Sequence, residues 1–333
     1  MGSVRGRYEG WKRLTRIAWE VEAQPDRNAA CGFAMQLGPF IPAVEARLSF
    51  RKLGASFGGR RAPTKLIHMN RELAGKRTIL TGATGGIGRA TAEALVRAGA
   101  RVALAARNTD RLDELAKSLR AAGGDVLVVP TDITRAEDRT RLLETVIAEF
   151  GGLDLLVNNA GIGSWGHFST STEDIARRVM EVNFFAPIEL TRLAMPHLTV
   201  GNDSCIVNVT SMCGRKGMPA WSEYSASKFA LVGMSEGWRT EFARFDVEVL
   251  TIVPGMTDSG FRENWIRTEG KADLRFEKGM TPADVAAGIV KAIQTNKTET
   301  VLGSEARRLL KFNRYFPRLT NWLIARKVKK LYS

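Results

Sequence analysis

Thr81-Gly82-Ala83-Thr84-Gly85-Gly86-Ile87-Gly88 follows an apolar run at 78–80 and precedes Arg89-Ala90-Thr91-Ala92-Glu93-Ala94-Leu95-Val96. The order predicts strand, glycine turn, helix. Glycines let the backbone turn tightly and come close to a pyrophosphate, while free N–H groups and the positive dipole end at a helix start attract its charge. The spacing is Gly-x-x-x-Gly-x-Gly at 82, 86 and 88, which differs from the Gly-x-Gly-x-x-Gly fingerprint of many dinucleotide sites. Outward from this turn, apolar runs recur at 101–106, 126–130, 153–157, 205–209 and 247–253, each followed by a helix-like stretch, and 282–293 with 298–302 forms a last helix and strand. Such alternation predicts an α/β fold with a doubly wound, Rossmann-like parallel sheet covered by helices on both faces, and ligands in such sheets bind at the carboxyl ends of the strands.

A second segment carries chemistry. In Tyr224-Ser225-Ala226-Ser227-Lys228 the phenol and the ammonium stand four residues apart, so on a helix they project from the same face. A free tyrosine has a pKa near ~10. A neighbouring cation favours the phenolate and moves that pKa toward the working range. By itself a Tyr-x-x-x-Lys pair reads as two residues on a solvated helix face, and the glycine turn far upstream is what shifts the reading.

With these residues in view, the chain from about 73 to 303 resembles the classical short-chain dehydrogenase/reductase family. Thr81 to Gly88 looks like that family's cofactor turn, Asn158-Asn159-Ala160-Gly161 like its Asn-Asn-Ala-Gly segment, and Tyr224 with Lys228 like its catalytic pair. Ser211 precedes Tyr224 by thirteen residues, as the family's catalytic serine does, and Asn183 in Glu181-Val182-Asn183-Phe184 matches its helix asparagine. The resemblance implies about seven strands and a catalytic set of Ser211, Tyr224, Lys228 and Asn183. In that set Tyr224 exchanges the proton with the substrate oxygen, and Lys228 lowers the phenol pKa and bonds the nicotinamide ribose. Ser211 holds the substrate oxygen, and Asn183 fixes a water that links Lys228 to solvent. Read alone, Ser211 is a strand-end serine capping a turn, and Asn183 is a polar contact inside a helix.

The same resemblance places cofactor contacts at Gly82, Thr84, Gly86, Ile87, Gly88, Asp132, Ile133, Asn159, Gly161, Tyr224, Lys228, Pro254, Gly255 and Thr257. Where the family often has a threonine four residues after the glycine of the Pro-Gly turn, this chain has Ser259. Cofactor choice is read from the end of the second run, Ala105-Ala106-Arg107. An NAD site presents an acid there for the ribose 2′-hydroxyl, whereas an arginine accommodates a 2′-phosphate. No carboxylate precedes Asp110, so NADP(H) is preferred through Arg107; an NAD(H) site with Arg107 as an ordinary loop cation is the alternative. The expected activity is hydride transfer between the nicotinamide and a carbonyl or secondary alcohol. An epimerase or dehydratase with a recycled cofactor, and a non-catalytic cofactor sensor or scaffold, are the competing readings.

Substrate selectivity is expected between 258 and 280, with Trp165, Phe168, Met212 and Trp221. Phe261, Trp265, Ile266 and Leu274 lie among charges there, which suits an amphipathic lid over an apolar, lipid-, steroid- or acyl-like substrate, or side chains that merely pack on the sheet. His167 follows the Asn-Asn-Ala-Gly segment by six residues, and a position off the cleft is the favoured reading over one that faces it.

Charge divides the 333-residue chain. Residues 1–68 carry a net +7, 305–333 a net +8, and 69–304 a net −1, within a total of +14. Basicity confined to the ends argues against a nucleic-acid groove on the central domain. The basic leader 1–68 has no apolar stretch long enough for a secretory core or a membrane span, and it is read as disordered or not part of the functional protein, with Met69 near the functional start. The tail 305–333 places Leu309, Phe312, Phe316, Leu319 and Leu323 among arginines and lysines, and Pro317 divides it into two short helices. It is read either as a docking tail on the domain or another subunit, or as a peripheral membrane contact. Cys31, Cys205 and Cys213 are odd in number and, with three histidines, show no metal spacing, which implies a reducing compartment and no structural metal. The cysteine usage thus suggests the cytoplasm, and the family resemblance implies a homo-oligomer acting on a small molecule.

Overall fold

The computed structural model describes residues 70–269 and 279–332. The leader, Met69, Cys31 and Leu274 lie outside the described residues. From the amino end the order is β1 (Arg77–Thr81), α1 (Gly86–Arg97), β2 (Arg101–Ala106), α2 (Thr109–Ala121), β3 (Val126–Pro130), α3 (Ala136–Phe150) and β4 (Leu155–Asn158). There follow β5 (Gly163–Trp165), α4 (Glu173–Met180), a π-helical turn at Glu181–Phe185, α5 (Ala186–Leu198), β6 (Cys205–Val209), α6 (Ser222–Glu241) and β7 (Glu248–Pro254). The chain closes with β8 (Trp265–Thr268), α7 (Pro282–Gln294), β9 (Glu299–Leu302), α8 (Ser304–Tyr315) and α9 (Pro317–Tyr332). Pro317 opens α9 rather than interrupting one long helix, as its missing N–H requires.

Seven strands form one sheet in the order β3-β2-β1-β4-β6-β7-β9, parallel at every pairing. Its strands are apolar on both faces because successive side chains point to opposite sides and both sides are covered. Leu80, Val102, Leu104, Leu155 and Val157 join one core with Leu95 of α1, Leu115 of α2 and Ile289 of α7. Their sequence neighbours Ile79, Ala103 and Leu156 join the other, with Leu142 of α3, Leu190 of α5 and Trp238 of α6. The chain reverses its winding between β1 and β4, and in an open parallel sheet the crevice at such a switch point is where ligands bind.

A second, two-stranded parallel sheet pairs β5 with β8. The sequence did not announce it, because both strands are short and neither alternates. No described helix is long and apolar enough to cross a membrane.

Candidate active site

A cleft of about 2250 Å³ runs along the carboxyl ends of the strands and is lined from every strand end between β1 and β7. At one end lies the glycine turn. A β-carbon on Gly88 would collide with the Gly82 carbonyl oxygen, so only glycine lets α1 start this close to the end of β1. The first turn of α1 carries no acid, and Gly85 offers no side-chain cap, so its N–H groups face the cleft without a competing carboxylate. The residues present therefore fit a pyrophosphate. Gly82, Thr84, Gly86, Ile87, Gly88, Asn159, Gly161, Asp132, Ile133, Pro254, Gly255 and Thr257 all line this cleft.

Some of these side chains are already committed. Asn159 donates through Nδ2 to the carbonyls of Thr81 (3.0 Å) and Gly82 (3.2 Å), and the N–H groups of Asn159 and Ala160 donate to Thr81 Oγ1. Asn159 thus ties the glycine turn to β4. Asp132 Oδ1 accepts from the backbone and hydroxyl of Thr134, which fixes the carboxylate at the cleft wall. Arg107, exposed at the end of β2, lines the cleft with Asn108 and Arg111, whereas Asp110 does not line it.

At the other end of the cleft, α6 carries Tyr224 (7% exposed) and Lys228 (4%) inward. Lys228 Nζ lies 5.8 Å from the Tyr224 ring centre and donates to the Val209 carbonyl at 3.3 Å. Ser211 sits just past the end of β6, where its Oγ accepts from Cys213 N (3.2 Å) and is near enough to Tyr224 to draw the phenol's pKa down. It is both the strand-end cap and a neighbour of the phenol.

Asn183 is fully buried in the π-helical turn. Its Nδ2 donates to the Ile162 carbonyl (2.9 Å) and Ser227 Oγ (3.0 Å), and its Oδ1 accepts from Ile162 N (2.9 Å). The amide so clamps the segment after β4 to α6, and Gly161 leaves room for Asn183 and Lys228 to approach from the same side. Ser211, Tyr224 and Lys228 line the same cleft as the glycine turn, and Asn183 lies buried behind it.

The electrostatics correct one expectation. Burial pushes the Tyr224 phenol up, with the hydrogen bond to Ser211 working in the opposite direction, and burial lowers Lys228 to about 8. Desolvation at the cleft floor is the largest cause of both shifts, and the cation four residues away does not bring the phenol down. Tyr224 is therefore held protonated. Burial also raises Cys213 to about 11 and Cys205 to about 12, so neither thiol supplies a thiolate.

The substrate end is aromatic. Trp221 lies against Tyr224 (5.5 Å between ring centres) and Trp265 (5.0 Å), Trp165 against Trp265 (5.8 Å), and Phe261 against Tyr224 (5.9 Å). The β5–β8 pairing brings Trp165 and Trp265 together, and a β-carbon on Gly163 would lie 2.5 Å from Trp265 Cδ1. Arg267, 5% exposed, anchors this roof by donating to the His167 carbonyl (2.9 Å) and to Glu269. The described part of 258–280 is thus closed over the cleft, with the Ser259 carbonyl directly above Gly86 and Glu263 paired with Arg111 at 3.3 Å. One expectation changes here. Phe168 is 71% exposed and does not line the cleft, because it starts a 3-10 turn on the outer side of β5. His167 does not line the cleft either, its carbonyl being what holds Arg267. Trp265 was among the aromatics expected of a lid, and a tail docked on the domain was one of the two readings of 305–333; the pairing of Trp265 with Trp165 and the seating of α8 behind Tyr224 were not legible, since both join segments far apart in the chain.

Fold and site define a nicotinamide-dependent oxidoreductase of the doubly wound class. The short chain dehydrogenase profile matches residues 76–270, and the chain belongs to the short-chain dehydrogenase/reductase family. It is 35% identical to the uncharacterized oxidoreductase YxnA of Bacillus subtilis (strain 168), over 74% of this chain and 70% of that one. A Burkholderia cenocepacia short chain dehydrogenase in complex with NADP superposes with TM-score 0.66 at 26% identity, over 76% of this chain and 99% of that one. A Burkholderia phymatum short chain dehydrogenase/reductase in complex with NAD shares the fold, with TM-score 0.68 at 24% identity over 75% of this chain and 96% of that one.

Proposed function

We propose that this enzyme is an NADPH-dependent carbonyl reductase for an apolar ketone or aldehyde, with residues 69–304 as its catalytic domain. The observation that carries the reading is the buried Tyr224, held protonated beside Ser211 and Lys228, at the aromatic end of a cleft whose other end is the glycine turn. The bound cofactor supplies a hydride to the carbonyl carbon. Tyr224 donates the proton to the carbonyl oxygen, which Ser211 holds in place. Lys228 holds the ribose hydroxyls and its charge stabilises the phenolate left behind. Asn183, its amide spent on Ile162 and Ser227, positions Lys228 by tying the segment after β4 to α6. The glycine turn and α1 hold the pyrophosphate, Arg107 takes the 2′-phosphate, Asp132 and Ile133 flank the adenine, and Pro254, Gly255 and Thr257 bound the nicotinamide. We place the enzyme in the cytoplasm as a homo-oligomer whose tail, 305–333, meets a membrane surface.

The test is oxidation of NADPH and of NADH in parallel against a panel of aldehydes and ketones. Turnover with NADPH preferred is expected, and no turnover of any carbonyl despite NADPH binding would overturn the reading. Arg107→Ala should weaken NADPH binding about tenfold or more, since a charge-assisted hydrogen bond is lost, and leave NADH nearly unchanged. Equal losses for both cofactors would remove Arg107 from the 2′-phosphate site.

Gly163→Ala should drive a methyl group into the Trp265 indole and narrow the aromatic end. The expected result is about a tenfold or greater fall in kcat/KM for bulky ketones with small aldehydes spared, the size of discrimination an apolar pocket gains from one carbon. Trp265→Ala should shift selectivity the other way, and identical profiles for both variants would show that the roof does not touch substrate.

A further inference from the structure

The carboxyl-terminal hairpin has two faces with different partners. On the inner face of α8, Ala306 is 2% exposed, and with Leu309 and Leu310 it packs into the cluster that holds Tyr224, Met212 and Trp221. Ala306 also lies against Gly255 of the Pro-Gly turn. On α9 the inner positions are Thr320, Ile324 and Val328, and Lys216, five residues past Ser211, donates to Asn321. The hairpin is therefore fixed to the wall behind the substrate end of the cleft.

The outer face is apolar and open. Phe312, Tyr315, Phe316, Leu319, Trp322 and Leu323 are between 37% and 65% exposed, and among them Leu319, Trp322 and Leu323 share one face of α9 at helical spacing. A contiguous exposed cluster of this kind marks an interaction surface. Its surroundings choose the partner. Residues 305–333 hold nine lysines and arginines against one acid, Glu305, and Arg326 stacks on Trp322 at 5.4 Å. Like charge of this size opposes a second copy of the same face, and a purely apolar protein groove would leave the cations unpaired. A bilayer bearing anionic headgroups satisfies both halves, with the cations at the phosphates and the tryptophan, tyrosine and leucines at the headgroup boundary.

We infer that the α8–α9 hairpin is a docking surface for anionic bilayers, seated so that α8 has lipid on one side and the substrate wall on the other. What the docking serves rests on the apolar-substrate reading; the docking itself does not. The test is flotation of the full chain with vesicles of phosphatidylcholine alone and of phosphatidylcholine mixed with phosphatidylglycerol. Wild-type protein should float with the mixed vesicles, stay behind with phosphatidylcholine alone, and be released by high salt. The double variant Trp322→Ser, Leu323→Ser should bind the mixed vesicles about tenfold or more weakly, with melting temperature and turnover of a water-soluble aldehyde unchanged. Absence of binding to the mixed vesicles, or binding that the variant does not weaken, would overturn the inference. So would a wild-type mass in solution that falls on making the variant, because the face would then seat another copy. Vesicle binding without turnover of any apolar ketone would leave the dock standing and remove the substrate reading.

Discussion

Tyr224→Phe should lower kcat for carbonyl reduction by about a thousandfold or more and leave NADPH binding within about twofold of wild type, the scale on which a positioned general acid contributes. Phenylalanine keeps the ring that packs against Trp221 and Phe261 and removes only the proton donor. A purely structural role for Tyr224 would lower stability and spare kcat, so stopped-flow hydride transfer and a thermal melt on the same sample separate the two. Wild-type rate in the phenylalanine variant would assign the proton to another group. Ser211→Ala is the graded companion, with a smaller fall in kcat, since Ser211 holds the oxygen but supplies no proton in this scheme.

Lys228→Met should abolish turnover and raise the melting temperature of the cofactor-free protein by about 5 °C at neutral pH. The lysine is buried, and its pKa falls from 10.5 to about 8 because desolvation opposes the charge. The folded state therefore binds the proton more weakly than the unfolded state, and the penalty is fully present below about pH 8. It fades as pH rises from about 8 toward 10.5, where the unfolded chain also loses the proton. The shift corresponds to a cost on the order of 3 kcal/mol, offset in the variant by roughly 1 kcal/mol for the lost bond to the Val209 carbonyl. Melting wild type and variant between pH 7 and 10 tests the sign. Their difference should shrink with pH, and a constant or growing difference would show that Lys228 is not a destabilising buried cation. The reduction rate should likewise fall as pH rises through about 8, when Lys228 loses the charge that stabilises the phenolate.

Tyr224 and Lys228 also mark how far the chain is legible from its residues alone. The strand ends, the glycine turn and the four-residue spacing of this pair are local features, written in periodicity and in the demands of a tight turn. So is the division of the tail at Pro317. The direction of the Tyr224 shift is not local. Spacing puts a cation near a phenol and suggests attraction. How deeply both are buried depends on α8, Trp221 and Phe261, which come from distant parts of the chain. The exposed position of Phe168 and the half-buried one of Trp265 have the same origin, since an isolated aromatic residue outside a periodic segment carries no sign of which way the chain will fold over it.

By itself, then, the sequence determined the doubly wound sheet, the place of the cleft at the carboxyl ends of its strands and most of the residues gathered there, because hydrophobic period, turn chemistry and helical spacing act over a few residues. Only the tertiary structure decided the parallel pairing of β5 with β8, the tryptophan roof this pairing builds, the clamp of Asn183 on Ile162 and the two-faced seating of α8. Those contacts join segments tens of residues apart, and their geometry follows from close packing of the whole unit.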